Sequence, residues 1–232
     1  MPSRSYQWLF FDADGTLFDF EKSQAIALEQ VFLHHEIPYD ISQLTVFRQI
    51  NTELWQELEQ KRMTPGALKV RRFELLLATL GMKHAPEPFG EVYLKYLGES
   101  ACLIGGAYEL LQSLHGKYRI AILTNGLRMV QRSRLSRSAI RDCVSEIIIS
   151  DEIGFAKPAR EYFDVAFARA GNPAKNSVLM IGDGWSSDII GAAQYGIDTC
   201  WYNPGRLPRP AWPAITCEIA SLEELPAWLG VS

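Results

Sequence analysis

The chain has 232 residues, of which 47% are hydrophobic and 22% are charged, a balance typical of a globular protein rather than a disordered or fibrous one. Its 23 Lys and Arg residues against 27 Asp and Glu residues give a formal charge of −4, which argues against a dedicated nucleic-acid-binding protein. The length predicts one large domain, or a core domain with a smaller insertion.

Five short apolar segments predict β-strands, at residues 8–11, 119–123, 146–149, 177–181 and 199–202. They do not alternate polar and apolar residues, and this is the pattern of strands buried on both faces of a parallel sheet. Helical patterns accompany the later strands, at residues 107–114, 129–139, 160–170 and 187–195. Strands that alternate with helices predict a doubly wound α/β fold with a mainly parallel sheet. Ligands of such sheets bind at the carboxyl ends of the strands.

Residues 20–99 interrupt this alternation, because they show only helical periodicity. We expect four helices here, and the third begins at Thr64-Pro65, with proline in the first helical position. About 80 helical residues are too many for a simple crossover. The sequence therefore predicts an α/β core of residues 1–19 and 100–232, with an all-helical cap of residues 20–99 inserted after the first strand.

The first predicted strand ends in Asp12-Ala13-Asp14-Gly15-Thr16. One interpretation is an Asp-rich turn, in which Gly15 permits a tight bend. However, an unpaired charge at the end of a buried strand costs several kcal/mol. We therefore expect a metal ion or a cationic partner beside Asp12 and Asp14.

The second and third predicted strands are followed by Thr124-Asn125-Gly126 and by Lys157-Pro158. A hydroxyl, a carboxamide and a flexible backbone before a helix suit either oxyanion binding or ordinary helix capping. A lone lysine such as Lys157 is more often a solvated surface residue. Neither segment predicts a function by itself.

The fourth predicted strand ends in Gly182-Asp183-Gly184, and Asp188 follows four residues later. The glycines resemble the start of a dinucleotide-binding GxGxxG turn, but Ser187 replaces the third glycine and Asp183 would repel a pyrophosphate. Asp183 is better interpreted as a ligand of a hard cation. Carboxylates without a nearby His or Cys favour Mg²⁺ over zinc.

Taken together, these four motifs resemble those of the haloacid dehalogenase superfamily phosphohydrolases, in the same order and over nearly the whole chain. The helical insertion resembles the cap of the subgroup with α-helical caps. Further segments are similar to the pyrimidine-preferring 5′-nucleotidase branch, which acts on nucleoside monophosphates: Phe10-Phe11-Asp12-Ala13-Asp14, Thr124-Asn125-Gly126, Glu152-x-Gly154-x-Ala156-Lys157-Pro158 and Thr199-Cys200-Trp201. The chain departs from the family at Trp185, where small or polar residues are commoner and where a large ring would crowd or stack on the substrate.

The resemblance implies a Mg²⁺-dependent phosphomonoester hydrolase in which Asp12 attacks phosphorus and becomes an aspartyl-phosphate. Asp14 would protonate the leaving alcohol and then accept a proton from water. The Asp12 carboxylate, the Asp14 backbone carbonyl and Asp183 would bind Mg²⁺.

The same resemblance implies that Lys157 supplies further positive charge and that the segment Thr124, Asn125 and Gly126 binds the phosphate oxygens. Asp188 would orient Lys157 or a metal-bound water from outside the first ligand sphere. Whether Asp188 contacts the metal directly is open at this stage.

The expected substrate is a small phosphorylated metabolite, in particular a nucleoside monophosphate. Three cap residues, Arg48, Trp55 and Lys61, are candidates for contact with the base or sugar, although Trp55 also fits a helical core stripe. Arg206 and Arg209 lie in a proline-rich loop and either steer an anion or are simply solvated. A nucleic-acid polymer or a membrane is not expected as a partner, and the protein is expected to be a monomer or dimer.

A cytoplasmic location is expected, because no run of about 18 apolar residues and no signal-peptide pattern occurs. The four cysteines are scattered, as is typical of core thiols in a reducing compartment: Cys102, Cys143, Cys200 and Cys217.

Three alternatives use the same core. A sugar-phosphate phosphatase or phosphomutase would keep all four motifs. A 2-haloacid dehalogenase needs neither a leaving-group acid nor Mg²⁺, so Asp14 and Asp183 argue against it. A receiver-like signalling domain shares the acidic cluster, threonine and lysine, but it is about half this length and lacks the helical insertion.

Overall fold

The computed structural model describes residues 5–60 and 62–231, and the chain divides into two compact units. An α/β unit comprises the chain up to Phe20, Cys102–Arg128 and the chain from Leu135 onward. A helical unit comprises Glu21–Ala101 together with Met129–Arg134. The segment Met129–Arg134 was assigned to the α/β core by its sequence pattern, and the structure groups it with the helical unit. That residues 20–99 act as a cap stays a prediction.

The sheet of the α/β unit has six parallel strands in the order β3-β2-β1-β4-β5-β6. They are β1 (Trp8–Asp12), β2 (Arg119–Thr124), β3 (Glu146–Ile149), β4 (Val178–Gly182), β5 (Asp198–Tyr202) and β6 (Cys217–Ile219). The order reverses between β1 and β4, and this is the position at which doubly wound sheets bind their ligands. The predicted fold class is confirmed.

The described residues form ten α-helices, listed in chain order. They are α1 (Phe20–His34), α2 (Ile41–Glu59), α3 (Pro65–Thr79), α4 (Pro86–Glu99), α5 (Ala107–Leu114), α6 (Arg128–Arg137), α7 (Ser150–Ile153), α8 (Arg160–Arg169), α9 (Gly191–Tyr195) and α10 (Glu224–Leu229). None of the helices in the described part of the chain is both long enough and apolar enough to cross a membrane.

The predicted elements differ from the structure near the C-terminus. A turn of π-helix, Trp185–Ile190, precedes α9 where one continuous helix was predicted from residue 187. Strand β6 and helix α10 were not predicted. Three residues at a sheet edge, with Glu218 exposed in the middle, are too few to give a strand pattern.

Both faces of the sheet are buried, which explains the uninterrupted apolar runs. In β1, Leu9 and Phe11 pack into the core on one face, while Trp8 and Phe10 pack into the core on the other. The side chains alternate between faces along a strand. A strand covered on both sides therefore needs apolar residues at every position, until the chain reaches Asp12 at the end of the strand.

The helical unit is held together by an aromatic core. Phe47 of α2 contacts Phe73 of α3 and Tyr93 of α4, with ring centroids 5.3 Å and 5.1 Å apart. Thr64 caps α3 through a hydrogen bond from the Ala67 N–H to its hydroxyl, so α3 begins where Thr64-Pro65 predicted.

Candidate active site

Three carboxylates converge at the carboxyl end of the sheet. Asp12 ends β1, Asp183 directly follows β4, and Asp188 lies in the π-turn. Because β1 and β4 are parallel neighbours, with Phe11 opposite Ile181, their ends meet at one edge. Each residue offers a carboxylate oxygen, and these three oxygens lie within 4.8 Å of one another. We call these three residues the carboxylate cluster.

Lys157, between α7 and α8, is the cation of this site. Its Nζ donates to Asp12 Oδ1, to Asp188 Oδ1 and to the Leu123 carbonyl oxygen, each at 2.7 Å. A lysine ammonium has three N–H donors, so all three are used. Although the side chain is 1% exposed and burial alone lowers the pKa of Lys157, the charges of Asp12 and Asp188 outweigh it and raise that pKa.

The single positive charge of Lys157 does not balance the negative charge of the site. With all groups ionised, three carboxylates and one ammonium carry a net charge of −2. Burial, with help from Asp188 and Asp183, raises the pKa of Asp12 well above its usual value despite the opposing charge of Lys157. Burial and the charge of Asp188 also raise the pKa of Asp183 to about 6. Oxygen ligands with excess negative charge fit a hard divalent cation.

Asp183 is held by the turn that follows β1. The Thr16 hydroxyl donates to Asp183 Oδ1 at 3.0 Å and accepts from the Asp183 backbone N–H at 3.1 Å. Gly15 has a φ of +91°, and a Cβ atom there would lie 2.5 Å from Asp183 Oδ2. Only glycine fits this close approach. Thr16 belongs to the first motif, but no role was predicted for it.

Asp188 and Asp12 differ in how their oxygens are used. Asp188 Oδ1 accepts from Lys157, and its Oδ2 accepts from the Gly184 N–H at 3.0 Å. In Asp12, Oδ1 accepts from Lys157, while Oδ2 has no hydrogen-bond partner among the residues that the structure describes. Asp188 is therefore occupied in holding Lys157, and Asp12 keeps one oxygen available for chemistry.

The segment after β2 supports Lys157. The Asn125 side chain donates to the Lys157 carbonyl oxygen at 2.9 Å and accepts from the Lys157 N–H at 2.8 Å. The Gly126 N–H donates to Thr124 Oγ1 at 3.0 Å, so it is already engaged within the turn. Capping of the next helix by this segment is wrong, because Leu127 occupies the N-cap position of α6 and makes no side-chain cap.

Tyr162 of α8 is a further support that the sequence analysis missed. Its hydroxyl lies 2.7 Å from the Ile148 carbonyl oxygen and 3.3 Å from that of Thr124. Tyr162 is fully buried. Its only signal in the sequence was its place on a helical stripe, which is the ordinary pattern of a core residue.

The remaining predicted residues lie outside the carboxylate cluster. The Asp14 carboxylate is not among the clustered groups of the described chain, and Asp14 forms a backbone β-bridge with Phe18. Trp185 packs edge-on against Trp201, with ring centroids 4.7 Å apart and an interplanar angle of 72°.

The other residues predicted to contact or steer the substrate are three in the helical insertion and two in the proline-rich loop. Arg48 pairs with Glu21, with Nε and Oε2 separated by 2.6 Å. Trp55 is half-buried, Arg206 and Arg209 are exposed, and Lys61 lies outside the described residues. The pairing of Arg48 within the helical unit gives that residue a structural partner.

The chain is similar to known hydrolases over most of its length. Residues 6–196 match the haloacid dehalogenase-like hydrolase family. The chain belongs to that family. It is 34% identical to the pyrimidine 5′-nucleotidase YjjG of Escherichia coli, over 95% of this chain and 96% of the relative. It is 30% identical to the pyrimidine 5′-nucleotidase PynA of Streptococcus pneumoniae, over 95% of this chain and 93% of the relative.

A solved structure agrees with the fold. The putative HAD-hydrolase YfnB of Bacillus subtilis, whose crystal structure bound to magnesium reveals interdomain movement, is 34% identical and superposes with a TM-score of 0.90. The match covers 98% of this chain and 100% of that one. The predicted family and its hydrolase character are confirmed.

Proposed function

We propose that this hydrolase cleaves phosphomonoesters with Mg²⁺ through an aspartyl-phosphate on Asp12. The observation that carries the proposal is the carboxylate cluster, in which Asp12 and Asp188 are buried and paired with Lys157, and which with Lys157 has a formal charge of −2. A nucleophilic carboxylate is repelled by a phosphate dianion, by on the order of 4 kcal/mol for each pair of unit charges at 4 Å and an effective dielectric constant near 20. A site for phosphoryl transfer therefore needs both Lys157 and a further cation.

Mg²⁺ fits the residues present, because the donor set contains only oxygens and is short of two positive charges. The Asp12 carboxylate, the Asp183 carboxylate and the Asp14 backbone carbonyl would hold it. When bound, Mg²⁺ offsets the negative charge of the site and of the phosphate. Asp188 stays with Lys157, since both of its oxygens already accept hydrogen bonds.

The chain's own residues then divide the chemical work. Asp12 uses Oδ2 to attack phosphorus, while Lys157 holds Oδ1 and so orients the carboxylate. Asp14 donates a proton to the leaving alcohol and later takes one from the attacking water, a contribution of about 10²–10⁴-fold in such reactions.

Phosphate binding relies on the turn after β2. The Thr124 hydroxyl, whose oxygen accepts from Gly126, still has a proton to donate, and the Asn125 backbone N–H is the second proposed donor. Lys157 has no N–H left to donate. It therefore acts on the phosphate through its charge, which refines its predicted role as a phosphate ligand.

A pyrimidine nucleoside 5′-monophosphate is the proposed substrate. Its support is that two relatives matched over most of this chain, YjjG and PynA, are named pyrimidine 5′-nucleotidases. The competing candidate is a sugar phosphate, which the same catalytic residues would cleave.

A phosphate-release panel tests the proposal. We expect faster release from pyrimidine than from purine monophosphates or sugar phosphates, loss of release in EDTA, and recovery with added Mg²⁺. Preference for a sugar phosphate would contradict the proposed substrate but would be consistent with the proposed reaction. Full activity in EDTA would contradict the proposed dependence on Mg²⁺. Chloride release from a 2-haloacid would contradict the proposed phosphomonoester hydrolysis.

A further inference from the structure

Trp201 touches the backbone of Asp183. It lies on β5, next to β4, where it is the register partner of Gly182. Its indole Nε1 donates to the Asp183 carbonyl oxygen at 3.1 Å. The side chain is 3% exposed. A buried indole N–H needs an acceptor, and here that acceptor is the carbonyl of a residue in the carboxylate cluster.

Trp201 also contacts the residue two positions after Asp183. The ring of Trp185 stands edge-on to the ring of Trp201 at a centroid distance of 4.7 Å. This is the preferred geometry of an aromatic pair. The loop that leaves β4 is thus tied to β5 twice, by a hydrogen bond at Asp183 and by a ring contact at Trp185.

Hydrogen bonds hold the backbone N–H, the carbonyl oxygen and Oδ1 of Asp183. Thr16 binds its backbone N–H and its Oδ1, and Trp201 binds its carbonyl oxygen. Oδ2 lies where a Cβ atom at position 15 would meet it, so Gly15 leaves room for it. A carboxylate that is oriented before the cation arrives loses less freedom on binding, and groups that orient a metal ligand affect affinity without touching the ion.

We propose that Trp201 is a positioning residue, which fixes the orientation of Asp183 before a divalent cation binds. Trp185 packs against the indole ring of Trp201 and so helps to keep that ring in place. This inference deepens the proposed function, since it rests on Asp183 as a Mg²⁺ ligand. It also gives a role to Trp185, the residue at which the sequence departs from the family pattern.

A purely structural role for the two tryptophans makes a different prediction. If the rings only pack, their loss lowers the stability of the metal-free protein and leaves Mg²⁺ affinity unchanged. If Trp201 presets Asp183, loss of its N–H weakens Mg²⁺ binding even where stability is kept. Mg²⁺ affinity and metal-free stability therefore have to be measured on the same variants.

The experiment uses the full chain without substrate. Mg²⁺ binding is measured by isothermal titration calorimetry, and unfolding by urea in EDTA, for the parent, Trp201→Phe and Trp185→Leu. Trp201→Phe keeps a ring but removes the donor. The matched control is Trp212→Phe, because Trp212 is 57% exposed in the proline-rich loop and undergoes the same change.

We expect Mg²⁺ affinity to fall about 10–100-fold in Trp201→Phe, about 2–10-fold in Trp185→Leu, and not at all in Trp212→Phe. Affinity within twofold of the parent in a folded Trp201→Phe protein overturns the inference. If Trp201→Phe does not fold, the Mg²⁺ affinity of Trp185→Leu is judged by the same criterion. If neither variant folds, the two tryptophans have a structural role, and the inference is again overturned. A parent that does not bind Mg²⁺ refutes the proposed function instead.

Discussion

Two buried cations, Lys157 in the α/β unit and Arg72 in the helical unit, are held in contrasting ways. In the α/β unit, Lys157 gives all three N–H groups to oxygens, two of them on carboxylates. In the helical unit, Arg72 is 2% exposed, and Nη1 lies 3.3 Å from its neutral acceptor, Asn51 Oδ1. Its Nε and Nη2 have no hydrogen-bond partner among the described residues.

Aromatic rings take the place of anions around Arg72. The guanidinium carbon lies 4.7 Å from the centroid of Tyr93 and 5.9 Å from that of Phe73. Cation–π contacts offset only part of the loss of hydration, and burial lowers the pKa of Arg72. Lys157 is thus paired with carboxylates where chemistry is proposed, whereas Arg72 is packed against aromatic rings and a neutral amide.

Replacement of Lys157 should have the largest effect. In Lys157→Met, Asp12 and Asp188 remain buried without their cation, which costs about 3–5 kcal/mol when one partner of a buried pair is removed. We expect that loss in the free energy of unfolding by urea, in EDTA, and a fall in phosphate release of at least about 10²–10³-fold. Lys83→Met, at an exposed position of the helical unit, is the control. An unchanged unfolding free energy would show that the ion pairs are not formed.

Replacement of Asp188 should have an intermediate effect. In Asp188→Asn the amide group must face either Lys157 or the Gly184 N–H, and both are donors. Asp188→Asn disturbs the orientation of Lys157 but leaves the nucleophile Asp12 in place. We therefore expect phosphate release to fall about 10–100-fold. Steady-state kinetics at saturating Mg²⁺ measure this fall, and a rate within twofold of the parent would contradict the supporting role of Asp188.

Replacement of Arg72 should have the smallest effect. Arg72→Met removes one hydrogen bond and the ring contacts, but it also removes the cost of burying an unmatched charge. We expect the free energy of unfolding to change by less than about 2 kcal/mol, and phosphate release to stay within about twofold of the parent. A loss as large as that of Lys157→Met would erase the contrast between the two units.

Much of the α/β unit could be predicted from the sequence. The apolar runs of β1 to β5 are readable because strands buried on both faces leave no polar position. The order of strands along a parallel sheet then brings Asp12 and Asp183 to the same edge. Gly15 and Thr16 belong to the first motif, but their contacts with Asp183 could not be predicted from it. Thr16 and Asp183 are 167 residues apart in the sequence, so no local pattern shows their hydrogen bond.

The environment of Lys157 could not be predicted from the residues around it. Its three acceptors are 145, 34 and 31 residues away along the chain, so an exposed surface lysine was the better local interpretation. Only the family resemblance gave it a role. The burial of Arg72 could not be predicted for a related reason, because the periodicity of a helix does not show which of its polar side chains are buried.

The central claim is that Asp12 accepts the phosphoryl group. We would incubate the protein with Mg²⁺ and a ³²P-labelled pyrimidine monophosphate, quench in acid, and measure protein-bound label before and after hydroxylamine, which cleaves acyl phosphates. The account predicts hydroxylamine-labile label in the parent, and none in Asp12→Asn. Label of equal amount in both proteins would contradict it.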